Sequence, residues 1–501
     1  MKRLLLVVML AVVLLAGSLG TAYAASTDFA PYLVPPQVPA ATSPEVQTYL
    51  EGSSVTSEDG WIIVHLKGSP YQVGFQNGYL TAQSADYTIR NFYGEPGQFR
   101  RRWVDRVARA YIWPLVPAEY KQELQGIADG MKAAGYPQDH LWDVVGLNAW
   151  FDGPPYAMLL PPNDPMSAVA ADLLEESKTR GGCSAFIATG DATADGRPVM
   201  GHNSWTPYSM VFTMNVMYYV DPSKGYDFTY QSFGGSIWSG VDWYENKAGL
   251  MFTETTLADS TYTLTGTPVF VRARKAAQYA ATVGQAVKIL LTNNNGVYSN
   301  EWLIGDASGK IASLQLGDKA SDLTTTRNGF FGSSNFTWGP NVRAEQIAAG
   351  VEPRPYDPAS ICYARYVRWG QLRDQYYGEI DAAIGRAMIS DTYDSYLNEE
   401  HPGLRCLCGE PEYDTPYLPD RDIGNVYDPN GAFDGKVATE AMVLSGLSSW
   451  ACWGRGSGDH FDAAEWLEAN PWWPDEWGPF ALFALMTYSA QSTDQWVRLG
   501  D

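Results

Sequence analysis

Cys183 is the residue whose surroundings point most directly to chemistry. It follows Gly181 and Gly182, heads an apolar run, and precedes His202 by nineteen residues in GGCSAFIATGDATADGRPVMGHNSW. A thiol becomes a nucleophile when a neighbour takes its proton or lowers its pKa. Two groups in this stretch can do so. One is His202, at the far end of a second apolar run of similar length, so that a hairpin brings it toward the start of the first. The other is made by cutting the chain between Gly182 and Cys183. The new α-amino group, with an ordinary pKa of about 7.7–8.0, is partly neutral at neutral pH and tethered beside its own sulfur. Glycine at 182 leaves the backbone free to adopt the conformation such a cut requires. A cysteine heading a strand is otherwise a packing residue, and spacing alone leaves both roles open.

The elements expected around this stretch are mostly strands. CSAFIAT and PVMGHNSW flank GDATADGR, where Asp195-Gly196 is a hairpin signal. MVFTMNVMYYV and GLMFTETTL read as strands, and EWLIGD with KIASLQL as a second hairpin. Several are apolar on both faces, as in a sheet covered on each side. In residues 118–134, Tyr120, Leu124, Ile127 and Met131 recur at helical spacing. Further helices are expected over 270–291 and 358–376. GWIIVHLKGSPYQVGFQNG reads as a strand and tight turn punctuated by Gly68, Gly74 and Gly78. Strands with helices clustered between them, without repeats, indicate an α+β layered fold.

The 501 residues carry a formal charge of −22 and are 45% hydrophobic and 18% charged. That acidity argues against a nucleic-acid partner. Lys2 and Arg3, the apolar run Leu4–Ala16 and Ala22-Tyr23-Ala24 form a signal-peptide pattern, with cleavage expected after Ala24. The expected location is therefore secreted, periplasmic or otherwise extracytoplasmic, including a lysosome-like lumen. The run is too short to span a bilayer, and no other segment reaches that length. The proline-rich start of the remaining chain reads as an extended arm. Residues 153–182, rich in proline and then polar, read as an exposed, cleavable linker. Of the five cysteines, a bridge among Cys362, Cys406, Cys408 and Cys452 would leave Cys183 as the odd thiol. Cys406 and Cys408 are too close together for half of a zinc site.

The segment from Gly182 to Trp205 resembles that around the exposed cysteine of phospholipase B-like proteins. These are N-terminal nucleophile hydrolases, with bile-salt hydrolases and isopenicillin-N acyltransferases as more distant relatives. QSFGGSIWSGVDWYENKAGLMFTETTL, FFGSSNFTWGP, DPASICYARYVRW and DGKVATEAMV resemble later family segments, and GSPYQVGFQNG with LQGIADGMKAAG the N-terminal part. The likeness covers most of the chain.

The resemblance implies a four-layer αββα fold and a precursor cut before Cys183. The products would be a small chain, 25–182, and a large chain, 183–501, that stay associated. Cys183 would be nucleophile and, once freed, base. His202 would take the place of an aspartate beside the α-amino group and orient the amine or the thiol. Trp205 would line the pocket, and Thr256, rather than Thr255, would sit on the oxyanion side. Asn335 would donate its amide to the oxyanion, and Arg365 would supply a fixed positive charge. No metal or other cofactor is implied. The expected reaction is hydrolysis of an acyl ester or a linear amide, of a lipid or other small molecule, through a Cys183 thioester. An inactive sugar- or lipid-binding protein on the same fold is the rival. A papain-like protease is disfavoured because CGSCW-type surroundings are missing. Asn335 also begins the sequon Asn335-Phe336-Thr337, so glycosylation competes with its catalytic role. Arg365 competes with a plain helix-surface charge.

Overall fold

In the strand that follows Cys183, successive side chains enter two different cores, which is why it is apolar on both faces. The computed structural model describes residues 29–41, 43–94, 98–139, 141–159, 182–414 and 429–500. The signal-peptide pattern and residues 160–181 of the linker lie outside these. In β3 (Ser184–Gly190), Ala185 and Ile187 join the large core between two sheets, whereas Phe186 and Ala188 pack with Trp369 and Ile389 beneath helices. This is the period-two alternation of a strand covered on both sides.

One sheet has nine strands: β1 (Ser54–Glu58), β2 (Trp61–Gly68), β6 (Val216–Pro222), β7 (Phe228–Ser232), β8 (Trp243–Asn246), β9 (Met251–Thr256), β10 (Asn300–Gly305), β11 (Ile311–Leu316) and β12 (Ser321–Thr326), in that spatial order. The other has six, ordered β13 (Gly329–Ser333), β3, β4 (Gly196–Asn203), β17 (Asp434–Thr439), β18 (Ser449–Trp453) and β19 (Trp496–Leu499). Two small ladders join β5 (Trp205–Pro207) to β16 (Asn430–Ala432) and β14 (Tyr393–Asp394) to β15 (Glu399–Glu400). The sheets meet where β3 and β4 cross β9 and where β10 crosses β3 and β13. Helices α1 (Pro70–Leu80) and α2 (Ala118–Ala133) pair, and α1 lies on β2 and β6; α3 (Val269–Tyr279) and α4 (Val283–Leu291) cover β8, β10 and β11. On the six-stranded sheet, α5 (Ile361–Tyr376) lies on β13, and α6 (Ala382–Ile389) on β4 and β17. This is the four-layer αββα sandwich. Strands β1 and β2, from the N-terminal part of the chain, belong to the same sheet as β6–β12, with β2 running parallel to β6.

Three expectations change. The turn expected after β2 is helix α1, started by a Ser69–Gln72 capping box. Gly74 and Gly78 mark no turn. A β-carbon at either would overlap the backbone carbonyl of Glu123 or Ile127 in α2, and one at Gly126 or Gly130 would strike α1 in return. The four glycines let two helix backbones touch. The single helix expected over 270–291 is two, α3 and α4, parted where Thr282 caps α4. The expected disulfide is not formed: all five cysteines are free, buried thiols. Their sulfurs face separate partners. Cys406 donates to the Gly403 carbonyl at 2.8 Å, Cys452 to that of Arg455 at 3.6 Å, and Cys362 lies beside the Arg365 guanidinium.

Candidate active site

Strand register assembles the site. In the β3–β4 ladder, Ala185 faces His202, and His202 also faces Lys436 of β17. Directly paired residues share a sheet face, so His202 and Lys436 both enter the space between the sheets, with Cys183 one step beyond Ser184. On the other flank Ser333 of β13 pairs with Ala185. Continuing that register two residues brings Asn335 to Cys183.

Around the Cys183 backbone the contacts are close. Its N–H donates to Asn335 Oδ1 at 2.9 Å, and its carbonyl accepts from Arg365 Nη1 at 2.7 Å. Arg365 Nη1 also reaches Ser184 Oγ at 3.0 Å, and Nη2 reaches Asn335 Oδ1 at 2.9 Å. The Arg365 guanidinium stacks on the Trp205 ring at 4.5 Å. Asn335 is buried, so the glycosylation reading of its sequon does not fit the fold. Its φ of 63° lies in the left-handed region, which asparagine tolerates and which clusters at functional sites. The side chain is turned opposite to the expectation of an oxyanion donor. The amide nitrogen is spent on the Thr256 carbonyl at 2.9 Å, and the oxygen faces Cys183. The reverse orientation would oppose N–H to N–H, so the assignment is fixed by its partners. Arg365 is no helix-surface charge: it is fully buried.

Around the sulfur the arrangement is different. Cys183 is only 5% exposed. Burial raises its thiol well above the usual range, and the nearby charges of Asp242 and Glu254 raise it further. A Trp205 backbone hydrogen bond and Lys436 act in the opposite sense. His202 Nε2 lies 3.1 Å from the Glu254 carbonyl, which can only accept, so Nε2 carries the proton and Nδ1 the lone pair. No hydrogen bond engages Nδ1. Burial and the charge of Lys436 hold this imidazole neutral. The Cys183 sulfur, a His202 ring nitrogen and an Asp242 carboxylate oxygen lie within 4.8 Å of one another.

Thr256 Oγ1 donates to the Tyr298 hydroxyl at 3.0 Å, and Tyr298 donates to Asp242 Oδ2 at 3.2 Å. Thr255 instead meets Ser333 and the Asn335 N–H. Trp205 is packed between Arg365 and Gly409, with its indole N–H on Asn203 Oδ1 at 3.1 Å. In this arrangement it supports the guanidinium. All six expected site residues thus meet at one end of β3.

Sequence reasoning missed Asp242, Glu254, Tyr298 and Lys436. Burial raises the Asp242 carboxyl to about 6, and burial together with Asp242 raises Glu254 further, so this acid pair retains a proton. Lys436, fully buried, is held by Asp434 at 2.7 Å and Ser204 at 3.0 Å. A lysine just ahead of the apolar Val437-Ala438 was the one visible signal.

The phospholipase B family model matches residues 63–320, just over half of the sequence. The chain belongs to the phospholipase B family. The match ends short of Asn335, Arg365 and Lys436, so these residues lie beyond it. An uncharacterized protein of Archaeoglobus fulgidus is 28% identical over 270 residues, 50% of this chain, which spans 42% of that relative's length. Among solved structures, penicillin V acylase from Agrobacterium tumefaciens is similar at 15% identity and a TM-score of 0.32, over 54% of this chain and 83% of that one. A mutant of conjugated bile acid hydrolase from Clostridium perfringens is similar at 13% identity and a TM-score of 0.30, over 54% and 89%.

Proposed function

We propose that this phospholipase B family member is a self-processing cysteine hydrolase of the N-terminal nucleophile type, exported by its signal peptide. The reading rests above all on the hold that Asn335 Oδ1 has on the Cys183 N–H. In the precursor that N–H belongs to the peptide bond with Gly182. Cys183 Sγ attacks the Gly182 carbonyl carbon; the S–C bond forms, the C–N bond breaks, and the thiol proton passes to the departing nitrogen. His202, which has a ring nitrogen within 4.8 Å of the sulfur and an unprotonated Nδ1, is the neutral acceptor that carries it. Water then hydrolyses the thioester, releasing the Gly182 carboxylate and restoring the thiol beside a free amine, which Asn335 Oδ1 still orients.

In turnover the amine takes the thiol proton, the sulfur attacks an acyl carbonyl, and the alcohol or amine leaves with that proton. Water hydrolyses the acyl thioester. Arg365 places a positive charge at the nucleophile's backbone, where negative charge develops. The products of the cut, 25–182 and 183–501, stay together because β1 and β2 lie in the same sheet as β6–β12. The substrate is a small acyl ester or linear amide, and no cofactor takes part. Among the described residues no helix is long and apolar enough to cross a membrane.

The test is a panel of acyl esters and acyl amides, including phospholipids, assayed against the secreted protein and Cys183→Ala. Hydrolysis of at least one class, abolished in the variant, is expected. An active Cys183→Ala protein would refute the assignment.

A further inference from the structure

The same sulfur belongs to a donor set that the hydrolytic reading does not use as such. Cys183, His202 and Asp242 come from three segments: the head of β3, the end of β4 and the turn before β8. Their donor atoms lie within 4.8 Å of one another and all three residues are buried. His202 Nδ1 is a fully buried lone pair without a hydrogen-bond partner. Both supporting residues are held from behind. His202 gives its other ring nitrogen to the Glu254 carbonyl, and Asp242 Oδ2 accepts from Tyr298. Such outer partners fix the tautomer and orientation of metal ligands. Asp242 itself is set by a left-handed φ of 64°.

We propose that Cys183 Sγ, His202 Nδ1 and Asp242 form an inhibitory site for a zinc-class divalent ion. One sulfur, one imidazole nitrogen and one carboxylate oxygen suit a borderline ion such as Zn2+ and not the all-oxygen preference of Mg2+ or Ca2+. Metal–donor bonds of about 2.0–2.3 Å in a tetrahedral arrangement put donors roughly 3.5 Å apart, so the three side chains draw together by up to about 1 Å on binding. Glu254 adds a second acid beside the site; of the two cations near Cys183, Lys436 is matched by Asp434, and Arg365 lies on the backbone side, bound to the Cys183 carbonyl. On the side of the sulfur a divalent ion meets the Asp242–Glu254 acid pair. Binding releases the thiol proton to solvent and occupies the sulfur's lone pair, which removes the nucleophile both for chain cutting and for turnover. The ion is a reversible silencer, not a cofactor. Metal binding needs only the folded chain, whereas its silencing role rests on the hydrolytic reading.

Co2+ is the probe, because a cobalt–thiolate bond absorbs in the near ultraviolet. The untagged, chelator-treated full chain is titrated with Co2+ and then with Zn2+. One equivalent per chain is expected to give the thiolate band, and Zn2+ to remove it. The band should be absent in Cys183→Ser and His202→Ala and unchanged in Cys408→Ala. Tyr298→Phe, which leaves all three donors in place, should weaken binding by roughly 10-fold or more. Circular dichroism checks that each variant is folded. No band in the folded wild-type chain, or a band that survives Cys183→Ser or His202→Ala, overturns the proposal. A chain that binds Co2+ yet stays uncut and inactive after the ion is removed by chelator supports the metal site while contradicting the hydrolase. A cut, active chain that shows no band and is indifferent to Zn2+ does the reverse.

Discussion

Two buried arginines of this protein sit in similar surroundings and do opposite things. Arg365 and Arg455 are both fully buried, and both stack on aromatic rings, Arg365 on Trp205 and Arg455 on Tyr208 and Phe461. Arg455 is neutralised: Nη1 binds Glu410 at 3.2 Å and Glu412 at 2.5 Å, and Nη2 binds Glu412 at 2.7 Å. These acids and Tyr208 hold its charge in place although burial opposes it. The hydrogen bonds of Arg365 end on neutral acceptors: two carbonyls, a hydroxyl, an amide oxygen and a thiol. Burial lowers its pKa. A charge already matched by carboxylates has little field left for a reaction, whereas an unmatched one is available wherever negative charge develops. The first stabilises a loop cluster. The second is kept at Cys183.

Removing each guanidinium tests this contrast most strongly. Arg455→Met leaves Glu410 and Glu412 without their cation, and the protein should lose roughly 3–5 kcal/mol of stability, read by denaturant unfolding. Hydrolysis per folded molecule should stay near wild type. Arg365→Met should show the reverse, a rate loss of roughly 10²–10³-fold with little change in the unfolding midpoint. Equal effects on both quantities in both variants would erase the distinction.

A smaller effect separates backbone contact from chemistry. Gly78→Ala drives a methyl group into the Ile127 carbonyl of α2. It should cost roughly 1–3 kcal/mol by overpacking and leave the rate of the folded enzyme intact.

The smallest effect is a pH dependence. Burial holds the Glu245 carboxyl up to about 8 and that of Asp152 up to about 6. Folded chains thus keep protons that unfolded chains release near pH 4, and stability falls as pH rises from about 4.5 to about 8. Glu245→Gln removes one such group. Its melting temperature should exceed wild type at pH 8 by roughly 1–3 °C, and the difference should vanish near pH 4.5. A constant difference across this range would contradict the assignment.

The site was more legible in the sequence than its surroundings. Cys183 and His202 were visible because a hairpin is local: two apolar runs and an Asp-Gly turn dictate which ends meet. Asn335 and Arg365 were reached only through family resemblance, since their approach to Cys183 depends on β13 and α5 packing on β3, which no short-range pattern encodes. Asp242 and Glu254 lie within a stretch that resembles the family. Each looks like an ordinary strand-end acid until the second sheet is laid over it. Helix α1 is hidden in the sequence because glycine signals a turn when read alone. Only the facing Gly126 and Gly130 reveal that it removes bulk between two helices.

The central claim is that the working protein begins a chain at Cys183. Intact-mass analysis and N-terminal sequencing of the secreted protein test it directly. The account predicts two associated chains, the larger starting Cys183-Ser184-Ala185, and a single uncut chain for Cys183→Ala. A wild-type protein that hydrolyses its substrate while continuous from Gly182 to Cys183 would contradict it.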